Sequence, residues 1–140
     1  MMFRKTLAAA ATAGIALAIG LTAVPSAFAA EGDGNCTTND AGAGGDLCLY
    51  YNSNLAGARF NDPYFDNYAG WVFKAWSGGN AGAGQAVKNN TASVRNYDSS
   101  LTGIIYYNSN QQGATQSIAP SSWANLNSTL KNENASQGWS

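Results

Sequence analysis

Tyr50-Tyr51-Asn52-Ser53-Asn54, with Gly57-Ala58 close behind, returns later in the chain as Tyr106-Tyr107-Asn108-Ser109-Asn110 with Gly113-Ala114, an offset of 56 residues. A second pair keeps the same order. Val87-Lys88-Asn89-Asn90-Thr91-Ala92-Ser93 is echoed by Leu130-Lys131-Asn132-Glu133-Asn134-Ala135-Ser136. Two diverged copies of one unit account most simply for both pairs.

Outward from the repeats, the chain reads as short strands separated by turn residues. Leu47 to Tyr51 is apolar and aromatic and runs into Asn52-Ser53-Asn54, a strand entering a turn, with Gly57 to Phe60 as its hairpin partner. Gly103 to Tyr107, rich in β-branched and aromatic residues, repeats this with Gly113 to Ile118. The alternation of Trp71 and Phe73 with Val72 and Lys74 predicts a strand with one buried face. Gln85 to Val87 and Ser93 to Tyr97 are further strand candidates, and the spacing of Trp123, Leu126 and Leu130 allows one helical turn. Ser77 to Gly84, made of Ser, Gly, Asn and Ala, predicts a flexible loop and has no counterpart in the second copy. Ala30 to Asp46 has no periodicity and reads as an irregular segment. Strands this short, with turns every 8 to 12 residues, indicate an all-β sandwich or barrel.

Residues 1–29 read as a signal peptide. Arg4 and Lys5 precede an Ala- and Leu-rich run, and Ala27-Phe28-Ala29 is a small-x-small cleavage site. A membrane anchor is the alternative, set aside because a cleavage site follows at once. The remaining stretch, 30–140, suits one domain, with motif one at about 47–98 and motif two at about 103–140. Its location is expected to be extracellular and soluble after cleavage, and its state monomeric. Without Arg4 and Lys5 the chain keeps five basic residues against eight acidic ones. A net charge of −3 provides no basic surface for nucleic acid. The two cysteines, Cys36 and Cys48, are expected to form a disulfide in an oxidising compartment, worth about 3 kcal/mol.

Tyr50, Gly57 and Ser93, and again Tyr106, Gly113 and Ser136, resemble the Greek-key motif of βγ-crystallins: an aromatic, a second aromatic, a glycine and a later serine. The resemblance implies a two-motif Greek-key sandwich in which glycine takes positive φ and serine ties down a folded hairpin. Leu55 and Gln111 stand where the second aromatic belongs. The export signal, the Leu-Cys-Leu-Tyr-Tyr-Asn-Ser-Asn stretch and the block from Ala86 to Tyr97 are further similar to small secreted actinobacterial proteins. Those are grouped with the streptomycete metalloproteinase inhibitor, and the resemblance implies a peptidase inhibitor that occludes an extracellular protease. No segment is marked by sequence as the inhibitory loop.

Catalytic chemistry is poorly provided for. The chain has no histidine, which removes the usual general base and every Ser-His or Cys-His arrangement. Its carboxylates are dispersed, with no pair spaced as a glycosidase dyad, although two could still meet in space. No catalytic residue is assigned and no cofactor is required. Calcium is the ion the chain's loops suggest. Microbial βγ-crystallins bind it through a loop of Asn/Asp, Asn/Asp, two residues, Ser/Thr and Ser, and Asn89, Asn90 and Ser93 match all but its last position, Val94. The same residues also read as a turn with a structural serine. A calcium-binding or structural domain is therefore the alternative function. A sugar-binding platform of Tyr64, Tyr68, Trp71 and Trp76 is a third, against which stands ordinary core packing.

Overall fold

The computed structural model describes residues 31–40 and 43–140; the expected signal peptide lies outside them. Eight strands are formed among the described residues: β1 (Leu47–Asn52), β2 (Ala56–Asp62), β3 (Asp66–Asn67), β4 (Ser93–Asn96), β5 (Gly103–Asn108), β6 (Gln112–Ile118), β7 (Trp123–Asn125) and β8 (Ser136–Trp139). They build two antiparallel four-stranded sheets, in the orders β2-β1-β4-β7 and β3-β8-β5-β6. No α-helix occurs among the described residues. The all-β reading holds.

Each sheet borrows one strand from the other copy. β7 follows the second hairpin in sequence yet pairs with β4, and β3 follows the first hairpin yet pairs with β8. The exchange locks the copies together. It also explains the last residue of the repeated block. Asn54 donates its backbone N–H to Asn125 Oδ1 at 2.8 Å, and Asn125 Nδ2 donates back to Asn54 Oδ1 at 3.0 Å. Asn110 and Asn67 exchange the corresponding bonds at 2.6 and 2.9 Å.

Between the sheets lies the core: Leu47, Leu49, Phe60, Tyr68, Phe73, Val87, Val94, Ile105, Ile118, Leu126 and Leu130 are all buried. Strand alternation places them there. Leu47 and Leu49 face inward from β1 while Cys48 and Tyr50 face out, and Leu49 stands opposite both Phe60 and Val94. The corresponding position in copy two, Ile105, stands opposite Gln116 and Gln137. Gln137 is fully buried, and its amide is satisfied by the Tyr68 hydroxyl and the carbonyls of Asp62 and Tyr64.

Three local expectations are corrected. Trp71 to Lys74 and Gln85 to Val87 form only isolated bridges, Lys74 with Arg59 at the β2 edge and Val72 with Ala86 between the two segments. The helical turn starts at Asn127, not Trp123. Asn127 Oδ1 accepts the N–H groups of Thr129 and Leu130 as a cap, which leaves Trp123 to Asn125 free to pair with β4. Ser77 to Gly84 is pinned, with Trp76 and Gly79 exchanging backbone hydrogen bonds at 3.0 and 3.1 Å and Ala58 N–H reaching Ala81 O at 2.8 Å.

Candidate functional site

The motif residues hold the hairpins. Gly57 and Gly113 both adopt φ of 84°, a conformation costly to a side chain. Ser93 Oγ donates to Asn52 O at 2.6 Å and accepts from Leu55 N at 3.0 Å; Ser136 Oγ does the same with Asn108 O and Gln111 N at 2.7 and 3.0 Å. Tyr50 and Tyr106 sit at equivalent register positions opposite these serines. Leu55 and Gln111 occupy the tight turn itself, at φ of 58° and 56°, so neither serves as the cover that an aromatic there would provide.

Beside each hairpin is a shallow pocket. One, of about 330 Å³, is lined by Tyr51, Asn52, Ser53, Asn90, Ala92, Lys131 and Asn132. Its counterpart, about 270 Å³, is lined by Lys88, Asn89, Tyr107, Asn108, Ser109, Glu133 and Ala135. The candidate calcium residues are not brought together. Asn90 lines the first pocket, Asn89 the second, and the Ser93 hydroxyl is spent on the hairpin. Each pocket also carries a lysine, and Glu133, in the second, is the one carboxylate that lines either.

The proposed sugar platform is likewise dispersed. Tyr68 is buried on Gln137, Trp71 packs on Phe60 and donates to Asp66 Oδ2 at 2.9 Å, and Trp76 packs on Tyr50 with Arg59 over its ring at 4.0 Å. Only Tyr64 stays exposed.

What the sequence hid is a gathering of acids. The N-terminal segment folds back along β2: Gly32 N–H reaches Asn61 O at 2.8 Å, Gly34 N–H reaches Asn61 Oδ1 at 2.8 Å, and Arg59 Nε reaches Gly34 O at 2.6 Å. The Cys36–Cys48 disulfide forms, with its Cα atoms 5.8 Å apart. This path carries Glu31, Asp40 and Asp46 to Asp62 and Asp66. Asp40, Asp46 and Asp62 are buried. Burial above all, with Asp66, Glu31 and Asp46 adding to it, pushes the Asp62 carboxyl up to about 8. Asp46 is raised to about 7, again chiefly by burial and then by Asp40, against the opposing hydrogen bond from Thr37 N–H. Glu31 is raised by burial, Asp66 and Asp40. Asp62 and Asp66 approach each other, Asp62 fully buried and Asp66 partly so. No sequence signal marks this convergence, because it joins residues some thirty positions apart through an aperiodic segment.

Between Asp62 and Asp66 runs a short rigid loop. Pro63 fixes one φ, Tyr64 N–H donates to Asp62 Oδ1 at 2.8 Å, and Tyr64 O accepts from Gln137 Nε2 at 2.8 Å and Trp139 Nε1 at 3.1 Å. From it Tyr64 and Phe65 project, 47% and 63% exposed. Phe65 lies across Gly138, next to Tyr106 on the outer face of the second sheet.

No family model matches the chain, and no curated protein does. Among solved structures it is similar to one described as "Evolution of the eye lens beta-gamma-crystallin domain fold", with a TM-score of 0.53 and 13% identity over 81% of this chain and 89% of that one. An identity this low speaks to the fold alone. With the swapped strands and the paired glycines and serines, it establishes that the chain has the βγ-crystallin domain fold.

Proposed function

We propose that this protein is an exported, non-enzymatic peptidase inhibitor that occludes an extracellular protease with its Pro63–Tyr64–Phe65 loop. The observation that carries the reading is the combination of rigidity and exposure at that loop. Its backbone is held by Asp62, Gln137 and Trp139, while two aromatic side chains stand in solvent. A loop ordered before binding loses little conformational entropy on association, and exposed aromatics are the side chains that most often dominate binding energy. The resemblance that Leu47 to Asn54 and the block from Ala86 to Tyr97 bear to the inhibitor family supports the same reading, as does the missing histidine.

The test is titration of the purified protein against a panel of extracellular metallo- and serine proteases. At least one is inhibited at micromolar protein, and Phe65→Ala weakens that inhibition about tenfold or more with an unchanged melting temperature. Absence of inhibition across the panel at micromolar excess overturns the proposal.

A further inference from the structure

One oxygen from each of Glu31, Asp62 and Asp66 lies within 4.8 Å of the other two. Exposed acids often cluster without consequence; Asp62 sets this group apart. Its side chain is fully buried, Oδ1 takes the Tyr64 N–H, and Oδ2 has no hydrogen-bond partner. A buried acceptor left unpaired is costly, and a buried carboxylate without a counter-charge more so. Among the described residues no lysine or arginine pairs with any of the three. Asp66 uses its oxygens for Asn67 N–H and Trp71 Nε1 at 2.7 and 2.9 Å, bonds that orient it and leave lone pairs free, and the Glu31 carboxylate makes no hydrogen bond among the described residues.

We infer that Glu31, Asp62 and Asp66 form a binding site for a hard divalent cation of the calcium class. The spacing fits: ligands about 2.3–2.6 Å from a shared calcium ion stand at most about 5 Å from one another. An all-carboxylate set without nitrogen or sulfur selects calcium-type ions over zinc or copper. The bound cation gives Asp62 Oδ2 its missing partner and offsets the mutual repulsion of three carboxylates held this close together. It also bridges the N-terminal segment to both ends of the Pro63–Phe65 loop. The site is separate from the two hairpin pockets and stands whether or not the protein inhibits a protease.

The experiment uses chelator-stripped protein at pH 7.5, titrated with calcium, magnesium or zinc chloride and followed by calorimetry and melting temperature. Terbium luminescence sensitised by Trp71, tied to Asp66, reports the location. Calcium binds as a single equivalent and raises the melting temperature by several degrees. Glu31→Gln and Asp66→Asn, at positions only partly buried, each weaken calcium binding at least tenfold and quench the terbium signal. Asn90→Ala and Glu133→Gln, in the hairpin pockets, leave both unchanged. The assignment is overturned by the absence of calcium heat and melting shift, by a preference for zinc, or by binding that responds to Glu133→Gln and not to Glu31→Gln.

Discussion

The two hairpins are built alike and finished differently. Both turn through positive-φ asparagines, both fold over a glycine at φ of 84°, and both are tied by a serine hydroxyl. On the first, the outward residues Cys48 and Tyr50 are 0% and 2% exposed, because the N-terminal segment and Trp76 lie over them. Their counterparts Ile104 and Tyr106 are only half-buried. The edges differ in the same way. Arg59 of β2 exchanges backbone hydrogen bonds with Lys74 at 2.8 and 3.0 Å, whereas among the described residues the backbone of Gln112 to Ser117 in β6 bonds to β5 alone. The fold thus needs the hairpin chemistry twice but the cover only once. The outer face of the second sheet, beside Phe65, is left less covered than that of the first.

The largest test of the comparison is in the core. Phe60→Ala should cost about 3–5 kcal/mol in chemical denaturation, while the equivalent Gln116→Ala costs less than about 1, since Gln116 is only partly buried. Equal losses would break the reading that copy one supplies the larger share of the core. Next comes the cover. Replacing Cys36 and Cys48 with serine should remove about 3 kcal/mol, and the loss should appear first as exposure of Tyr50 and Trp76 and leave Tyr107 unaltered. Smaller, and shared by both copies, is the serine tie: Ser93→Ala and Ser136→Ala should each cost about 1 kcal/mol, because each removes two part-buried hydrogen bonds that close the hairpin turn.

The covered side also sets a pH dependence. Asp62 and Asp46 have folded values of about 8 and about 7, above their ordinary 3.8, so the folded state holds protons that the unfolded chain has released. Their stabilising contribution is complete below about pH 4 and is lost as pH rises through 7 to 8. Chelator-treated protein should melt several degrees lower at pH 8 than at pH 5, and Asp62→Asn should flatten the slope.

The hairpins were legible because their determinants are local: a glycine that must take positive φ, a serine at fixed distance, and alternating apolar residues from Leu47 and from Gly103. Long-range partnerships were not. The strand exchange depends on Asn54 meeting Asn125 and Asn110 meeting Asn67, and an asparagine in a turn signals only the turn. Glu31 reaches Asp62 and Asp66 through a segment without periodicity, so its acids read as dispersed. Ser77 to Gly84 read as flexible because glycine permits many conformations. The aromatic side chain that staples it, Trp76 with Nε1 on Gly57 O at 2.8 Å, belongs to the neighbouring stretch.

Native-state hydrogen exchange at Arg59 and Thr115, equivalent positions on the two edge strands, tests the asymmetry most directly. The Arg59 amide, bonded to Lys74 O, should exchange only on global or near-global opening, while the Thr115 amide exchanges orders of magnitude faster. Equal protection at the two sites would contradict the account, for it would mean that the second hairpin is covered as well as the first.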